Sequence, residues 1–248
     1  MDYTIAAARA GKPVYVEKPM ARHHDECLAM INACQSANVP LFVAYYRRAL
    51  PRFLKIKELI DSGAIGEVRF VSVMLYQKTR PYYLESTNLP WRVQPEISGG
   101  GIYVDLASHI LDILDFLLGP ICEVQGVASN HGKHYPAEDI VTGHFVFESG
   151  VHGMGTWCFT AFEDCDQTEI VGSKGKISYV TFDSSPILLT TQEGITSFAI
   201  DNPPHIQQPL IQTIVDELNG VGRCPSTGES AARVNWVMDR MLESYYKK

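Results

Sequence analysis

Unbroken apolar runs and amphipathic stretches alternate at the start of the chain. Asp2 precedes Ala6, Ala7, Ala8 and Ala10, and Gly11 follows. That order predicts a short helix capped by Asp2 and ended by the glycine. Val14-Tyr15-Val16 and Leu41-Phe42-Val43-Ala44-Tyr45 are continuous apolar runs, as expected of strands buried on both faces. Between them, Cys27, Leu28, Ile31 and Cys34 fall on one face of a helix expected over His24 to Ala37. Helix, strand, helix, strand with apolar strands predicts a parallel sheet covered on both sides.

Beyond Arg48 the pattern changes. Pro51 to Ser62 has helical spacing and stops at Gly63, Glu67 to Tyr76 alternates as a long strand, and Pro90 to Ser98 is expected to be a loop. A helix is expected over Asp105 to Leu118. Further strands are expected at Glu123 to Ala128, Ile140 to Glu148, Val151 to Thr160, Thr168 to Val171, Lys176 to Phe182, Ile187 to Thr191 and Thr196 to Ile200. Glu148-Ser149-Gly150 is a hairpin signal. Helices over Ile206 to Asn219 and Glu229 to Tyr246 close the chain. Many short strands joined by tight turns predict an antiparallel sheet, backed by helices. Two strands are few for a doubly wound sheet, so the first unit reads as part of a larger one.

Composition narrows the class without naming it. The 248 residues are 46% hydrophobic and 20% charged, enough for a sizeable core. The formal charge of -7 is spread without long acidic runs and argues against a nucleic-acid partner. No apolar run approaches the roughly 20 residues of a membrane span. The start of the chain lacks the basic and apolar regions of a secretory signal. Cys27, Cys34, Cys122, Cys158, Cys165 and Cys224 include no pair at metal or redox spacing, so reduced thiols, a cytoplasmic location and no catalytic metal are expected.

Two stretches carry candidate chemistry. Gly99-Gly100-Gly101 precedes a helix on which Asp105 and His109 stand four residues apart, on one face. Glu17-Lys18-Pro19 follows the first apolar strand, at the end where open α/β sheets bind ligands. A lysine, a carboxylate and an imidazole at such places suit proton transfer at a hydroxyl. The plainer alternatives are a solvated turn lysine, a helix-start carboxylate and a core histidine. A glycine-rich phosphate loop of the form GxGxxG is absent from these residues.

The set Ala10 to Pro19, Tyr45-Tyr46-Arg47-Arg48, Gly63-Ala64-Ile65-Gly66, Trp91-Arg92 and Gly99 to His109 resembles, in order and spacing, the glucose–fructose oxidoreductase and inositol dehydrogenase family of NAD(P)-dependent oxidoreductases. The likeness covers essentially the whole chain. It implies an α/β plus α+β protein. Residues 1–46 would be the remnant of a dinucleotide-binding Rossmann domain. Residues 47–248 would be a substrate-binding and oligomerisation domain, a mostly antiparallel open-faced sheet with helices on one face. The earlier part of the Rossmann domain, with its phosphate loop, would be missing.

The resemblance further implies hydride transfer between nicotinamide and a sugar, cyclitol or related polyol, with Lys18, His109 and Asp105 catalytic. Tyr45, Arg47, Trp91, Arg92 and Tyr103 would bind substrate, and Glu17, Lys18, Pro19 and Arg92 would meet the cofactor. NAD or NADP is expected in the complete protein and none on this chain alone. Tyr103 and Ala107 stand where the family usually has leucine and glycine. Two alternatives stay open: NAD-dependent glycoside cleavage on the same fold, and a non-catalytic oligomerising or ligand-binding fragment. Along Val151 to Thr160, Val151, Gly153, Gly155, Trp157 and Phe159 suit a core. The other face, with His152, Met154 and Thr156, is mixed, and the resemblance implies that it buries against another subunit of a homodimer or larger homo-oligomer.

Overall fold

The computed structural model describes residues 1–85 and 88–246. It opens with α1 (Asp2–Arg9), β1 (Val14–Val16), α2 (His24–Ser36) and β2 (Leu41–Val43). β1 and β2 pair in parallel, Val14 with Leu41 and Val16 with Val43. Asp2 does not cap α1. Met1 holds the cap position without a side-chain bond and Asp2 lies in the first turn, where its charge meets the positive end of the helix dipole.

A tight helical turn at Tyr46–Ala49 leads into α3 (Pro51–Asp61) and β3 (Val68–Tyr76). α4 (Pro81–Glu85) follows, and the stretch Pro90 to Ser98, expected to be a loop, holds a turn at Trp91–Val93 and α5 (Pro95–Ser98). Each piece is too short to show a periodicity. Pro81 and Pro95 stand at first helical positions, where the missing N–H costs nothing. α6 (Ile102–Leu118) begins three residues before the expected start. The strands that follow are β4 (Ile121–Ser129), β5 (Ile140–Phe147), β6 (His152–Cys158), β7 (Cys165–Gly172), β8 (Gly175–Tyr179), β9 (Ile187–Thr191) and β10 (Gly194–Phe198). α7 (Gln208–Leu218) and α8 (Gly228–Tyr246) complete the chain.

β3 to β10 form one eight-stranded sheet in the order β10-β9-β8-β7-β3-β6-β5-β4. Every neighbouring pair is antiparallel except β3–β6, which is parallel. The earliest strand therefore lies inside the sheet, between two that come much later. Strand alternation sends Val71, Val73, Val141, Phe145 and Trp157 to the covered face, where α6 and α8 pack. Full burial of each such large side chain contributes about 1.5–3 kcal/mol. The opposite face is mixed, with Phe70, Met154, Val127 and Leu188 all exposed.

α6 is the central helix, and most of its residues are buried. Its head and tail are anchored differently. At the tail, Arg48 donates to both carboxylate oxygens of Asp112 and to Asp115, and Arg233 also grips Asp115. At the head, the turn that starts the helix is built from glycine. Gly99 takes φ +83°, and the carbonyl of Arg22 occupies the place a side chain would need. A Cβ on Gly101 would lie 2.8 Å from the carbonyl oxygen of Glu138.

Candidate functional site

Lys18 leaves the end of β1 just before a cis Lys18–Pro19 peptide, and its side chain reaches the first turn of α6. Nζ donates to Asp105 Oδ1 at 2.6 Å and to the Asp105 carbonyl at 2.9 Å. Asp105 Oδ2 faces Arg92 Nε at 3.3 Å, and the Arg92 guanidinium lies over the Trp91 ring, 4.6 Å from its centroid. One carboxylate is thus held between two cations. The pair with Lys18 is half-buried and the pair with Arg92 is open. Glu17, Lys18, Pro19, Trp91, Arg92, Ser98, Gly101, Val104 and Asp105 line a cleft of about 270 Å³. A wider hollow of about 640 Å³ lies between the head of α2, α5 and α8. Lys18, Asp105 and His109 are not among the residues lining it.

His109 stands one turn after Asp105, 6% exposed. Its Nδ1 lies 2.8 Å from the Arg47 guanidinium. Tyr45, Tyr46 and Phe182 present rings to it edge-on. Burial, then the charge of Arg47 and that of Lys18, push the imidazole well below the usual histidine range. Arg47 is itself buried. It bonds the Tyr46 hydroxyl and the Thr181 carbonyl and lies between the rings of Tyr46 and Phe182.

The structure thus brings Glu17, Lys18, Pro19, Trp91, Arg92 and Asp105 to one cleft, with His109 and Arg47 behind it. Three expected substrate contacts are not brought there. Tyr103 is fully buried against Trp157, with ring centroids 5.2 Å apart, because its position on α6 faces the sheet. Tyr45 is fully buried behind His109. Arg47, expected to bind substrate, is turned onto the imidazole.

Sequence reasoning missed Glu138. Its Oε1 accepts the Gly101 N–H at 2.8 Å and its Oε2 accepts the Tyr246 hydroxyl at 2.5 Å. This carboxylate caps the head of α6 from 37 residues downstream. Burial pushes it up to about 7, against the pull of both hydrogen bonds. The available signal was Glu138-Asp139 directly before an apolar strand, since adjacent acids at the edge of a core require donors. Among the described residues, no group of three His, Cys, Asp or Glu side chains is placed to hold a metal ion.

A small cleft where Lys18, Asp105 and Arg92 converge lies at the end of a parallel strand and the head of a glycine-started helix. Residues 1–45 match the oxidoreductase family with an NAD-binding Rossmann fold, and residues 53–178 match the GFO/IDH/MocA C-terminal domain. The chain belongs to the GFO/IDH/MocA family. It is 37% identical over 240 residues to Oxidoreductase P35 of Formosa agariphila, which spans 96% of this chain and 74% of that protein. It is 29% identical over 205 residues to a myo-inositol 2-dehydrogenase of Thermotoga maritima, covering 78% of this chain and 57% of that one. In fold it is similar to a levoglucosan dehydrogenase solved with NADH and levoglucosan. The TM-score is 0.86 at 24% identity, over 99% of this chain and 75% of that one. Among the described residues no helix is long and apolar enough to cross a membrane.

Proposed function

We propose that this chain carries the substrate half of an NAD(P)-dependent oxidoreductase acting on a sugar, cyclitol or related polyol. The observation that carries the reading is the Lys18–Asp105 ion pair facing the cleft, with His109 one helical turn behind. A cleft of about 270 Å³ lies at the small end of ligand pockets, which run from roughly 300 to 1,000 Å³. It suits one sugar ring or one nicotinamide ring and is too small for a dinucleotide. Glu17, Lys18, Pro19 and Arg92 fit the nicotinamide end. A pyrophosphate needs backbone N–H groups at a glycine-rich turn before a helix, and GxGxxG does not occur in these residues.

A bound nicotinamide supplies hydride transfer. This chain's own groups hold the polyol oxygen and manage its proton: Lys18 beside Asp105, His109 behind them, with Arg92 and Trp91 at the rim. Residues 1–46 act as part of the dinucleotide-binding unit and residues 47–248 as the substrate unit, in the cytoplasm. The open sheet face around Met154 and Val127, 52% and 64% exposed, covers its apolar surface against a second copy.

The test joins the chain behind a relative's glycine-rich βαβ half and follows NAD(P)H absorbance over a panel of polyols. Turnover is expected, falling by about 10²–10⁴ in Lys18→Ala and in His109→Asn. The chain alone is expected to bind NAD(P) no better than weakly in calorimetry. Parental turnover in both variants would remove the assigned roles, and micromolar binding by the chain alone would overturn the fit argument.

A further inference from the structure

Arg47 is a buried cation with no carboxylate within ion-pair distance among the described residues, Asp166 acting on it only from farther off. What it meets at close range is the ring of His109. A guanidinium only donates, so at 2.8 Å the Nδ1 it faces must offer a lone pair. In the neutral ring the single proton then sits on Nε2. A second proton at Nδ1 would point N–H against N–H and place two cations in contact inside the fold. Nε2 has no hydrogen-bond partner among the described residues, and it is not among the sealed polar atoms of the interior. The one free function left to this ring is an N–H donor.

We propose that Arg47 fixes His109 as a neutral imidazole protonated at Nε2, so that His109 donates a hydrogen bond to the reacting oxygen while Lys18 exchanges the proton. This rests on the oxidoreductase reading above and assigns the work within it. In the reducing direction, hydride adds to the carbonyl carbon and the C=O π pair moves onto oxygen. The oxygen bonds a proton from the Lys18 ammonium, whose N–H pair stays on nitrogen. Asp105, in contact with Nζ and half-open to the cleft, lies on the route by which solvent restores that proton. Oxidation runs the same steps backwards. A neutral imidazole could give up its Nε2 proton only by becoming an anion, so it polarises the oxygen and keeps the proton.

The charged and titratable groups around the ring agree. Arg47 and Tyr46 come from the tight turn, Tyr45 from the segment after β2, Lys18 from the end of β1, and Asp105 from the preceding turn of α6. Asp112, one turn on, is saturated by Arg48. Arg47 is a positioning residue here. It sets the ring's tautomer and does not touch substrate.

The test is nitrogen NMR of the full chain with labelled histidine, the ring signals of His109 being assigned by their loss in His109→Asn. Between about pH 5.5 and 8 one ring nitrogen should stay bare and the other protonated, with couplings that place the proton on Nε2. In Arg47→Met, which removes the donor as well as the charge, the tautomers should mix and the ring should begin to titrate within that range. Protonation on Nδ1 in the parent, or a full imidazolium at or above about pH 5.5, would overturn the proposal. An unchanged ring in a folded Arg47→Met would remove Arg47 from it. If that variant fails to fold, the parent spectrum alone decides. Absence of polyol turnover would sink the oxidoreductase reading and leave the spectrum unchanged, so the two failures are distinct.

Discussion

Arg47 and Arg48 are neighbours in sequence, both buried, and aimed at opposite halves of α6. Arg48 spends its fork on Asp112, Asp115 and the carbonyls of Asp112 and Pro225. Its charge is balanced and its donors are used, and Arg48, Asp112 and Asp115 are not among the residues lining the Lys18–Asp105 cleft. Arg47 meets a ring nitrogen, a phenol and a carbonyl at close range, and its charge acts on His109 and, from farther off, on Asp166. The tail of the helix is locked by complete pairing, whereas the head is held by groups that keep some capacity in reserve. Burial of an arginine alone does not distinguish the two cases. The partner list does.

The largest effect expected is at the tail. Arg48→Met leaves Asp112, 1% exposed, without its cation, and should cost about 3–5 kcal/mol in urea denaturation. Arg47→Met breaks no direct ion pair among the described residues and should cost less, about 1–3 kcal/mol. Equal losses would erase the distinction between the two ends.

A smaller effect tests the head. The ordinary glutamate value is about 4.3, and in the fold burial raises Glu138 to about 7. The folded chain therefore holds a proton that the unfolded chain has shed. Its contribution is fully present below about pH 4.3 and is lost as pH rises toward 7. Glu138→Gln should make the dependence of stability on pH less steeply falling across that window, as followed by thermal melts at stepped pH. A parallel dependence in both proteins would show that Glu138 is ionised throughout. The smallest effect on the fold should come from Met154→Glu on the open sheet face, within about 0.5 kcal/mol. The same change should shift light scattering from dimer or larger toward monomer. A parent that is already monomeric would end the assembly argument.

The regular elements were legible because their patterns are long enough to repeat. β9 matches its expected range, and α3 and α8 differ by a single residue at one end. α4 and α5, of five and four residues, have no period to read. Of the candidate site, Lys18 and Asp105 were visible because a strand end and a glycine-started helix define where they point. Tyr103, implied for the substrate only by the resemblance, is two residues from Asp105, and 100° per residue turns it onto the sheet. Glu138 and the turn of Arg47 onto His109 depend on contacts across 37 and 62 residues, which no local pattern carries.

The position of β3 has a consequence for how the chain comes to be folded. Val71 must find Gly153 on one side and Ile170 on the other, partners made roughly 80 and 100 residues later. Until then both edges of an apolar strand are open, with Phe70, Val71 and Val73 ready to pair with any passing chain. On a ribosome the middle of the sheet is synthesised first and completed only after both flanking strands have emerged. Chaperone capture or misassembly should therefore centre on residues 68–76 during that interval, and substitutions there should slow folding more than equal substitutions in β9 or β10.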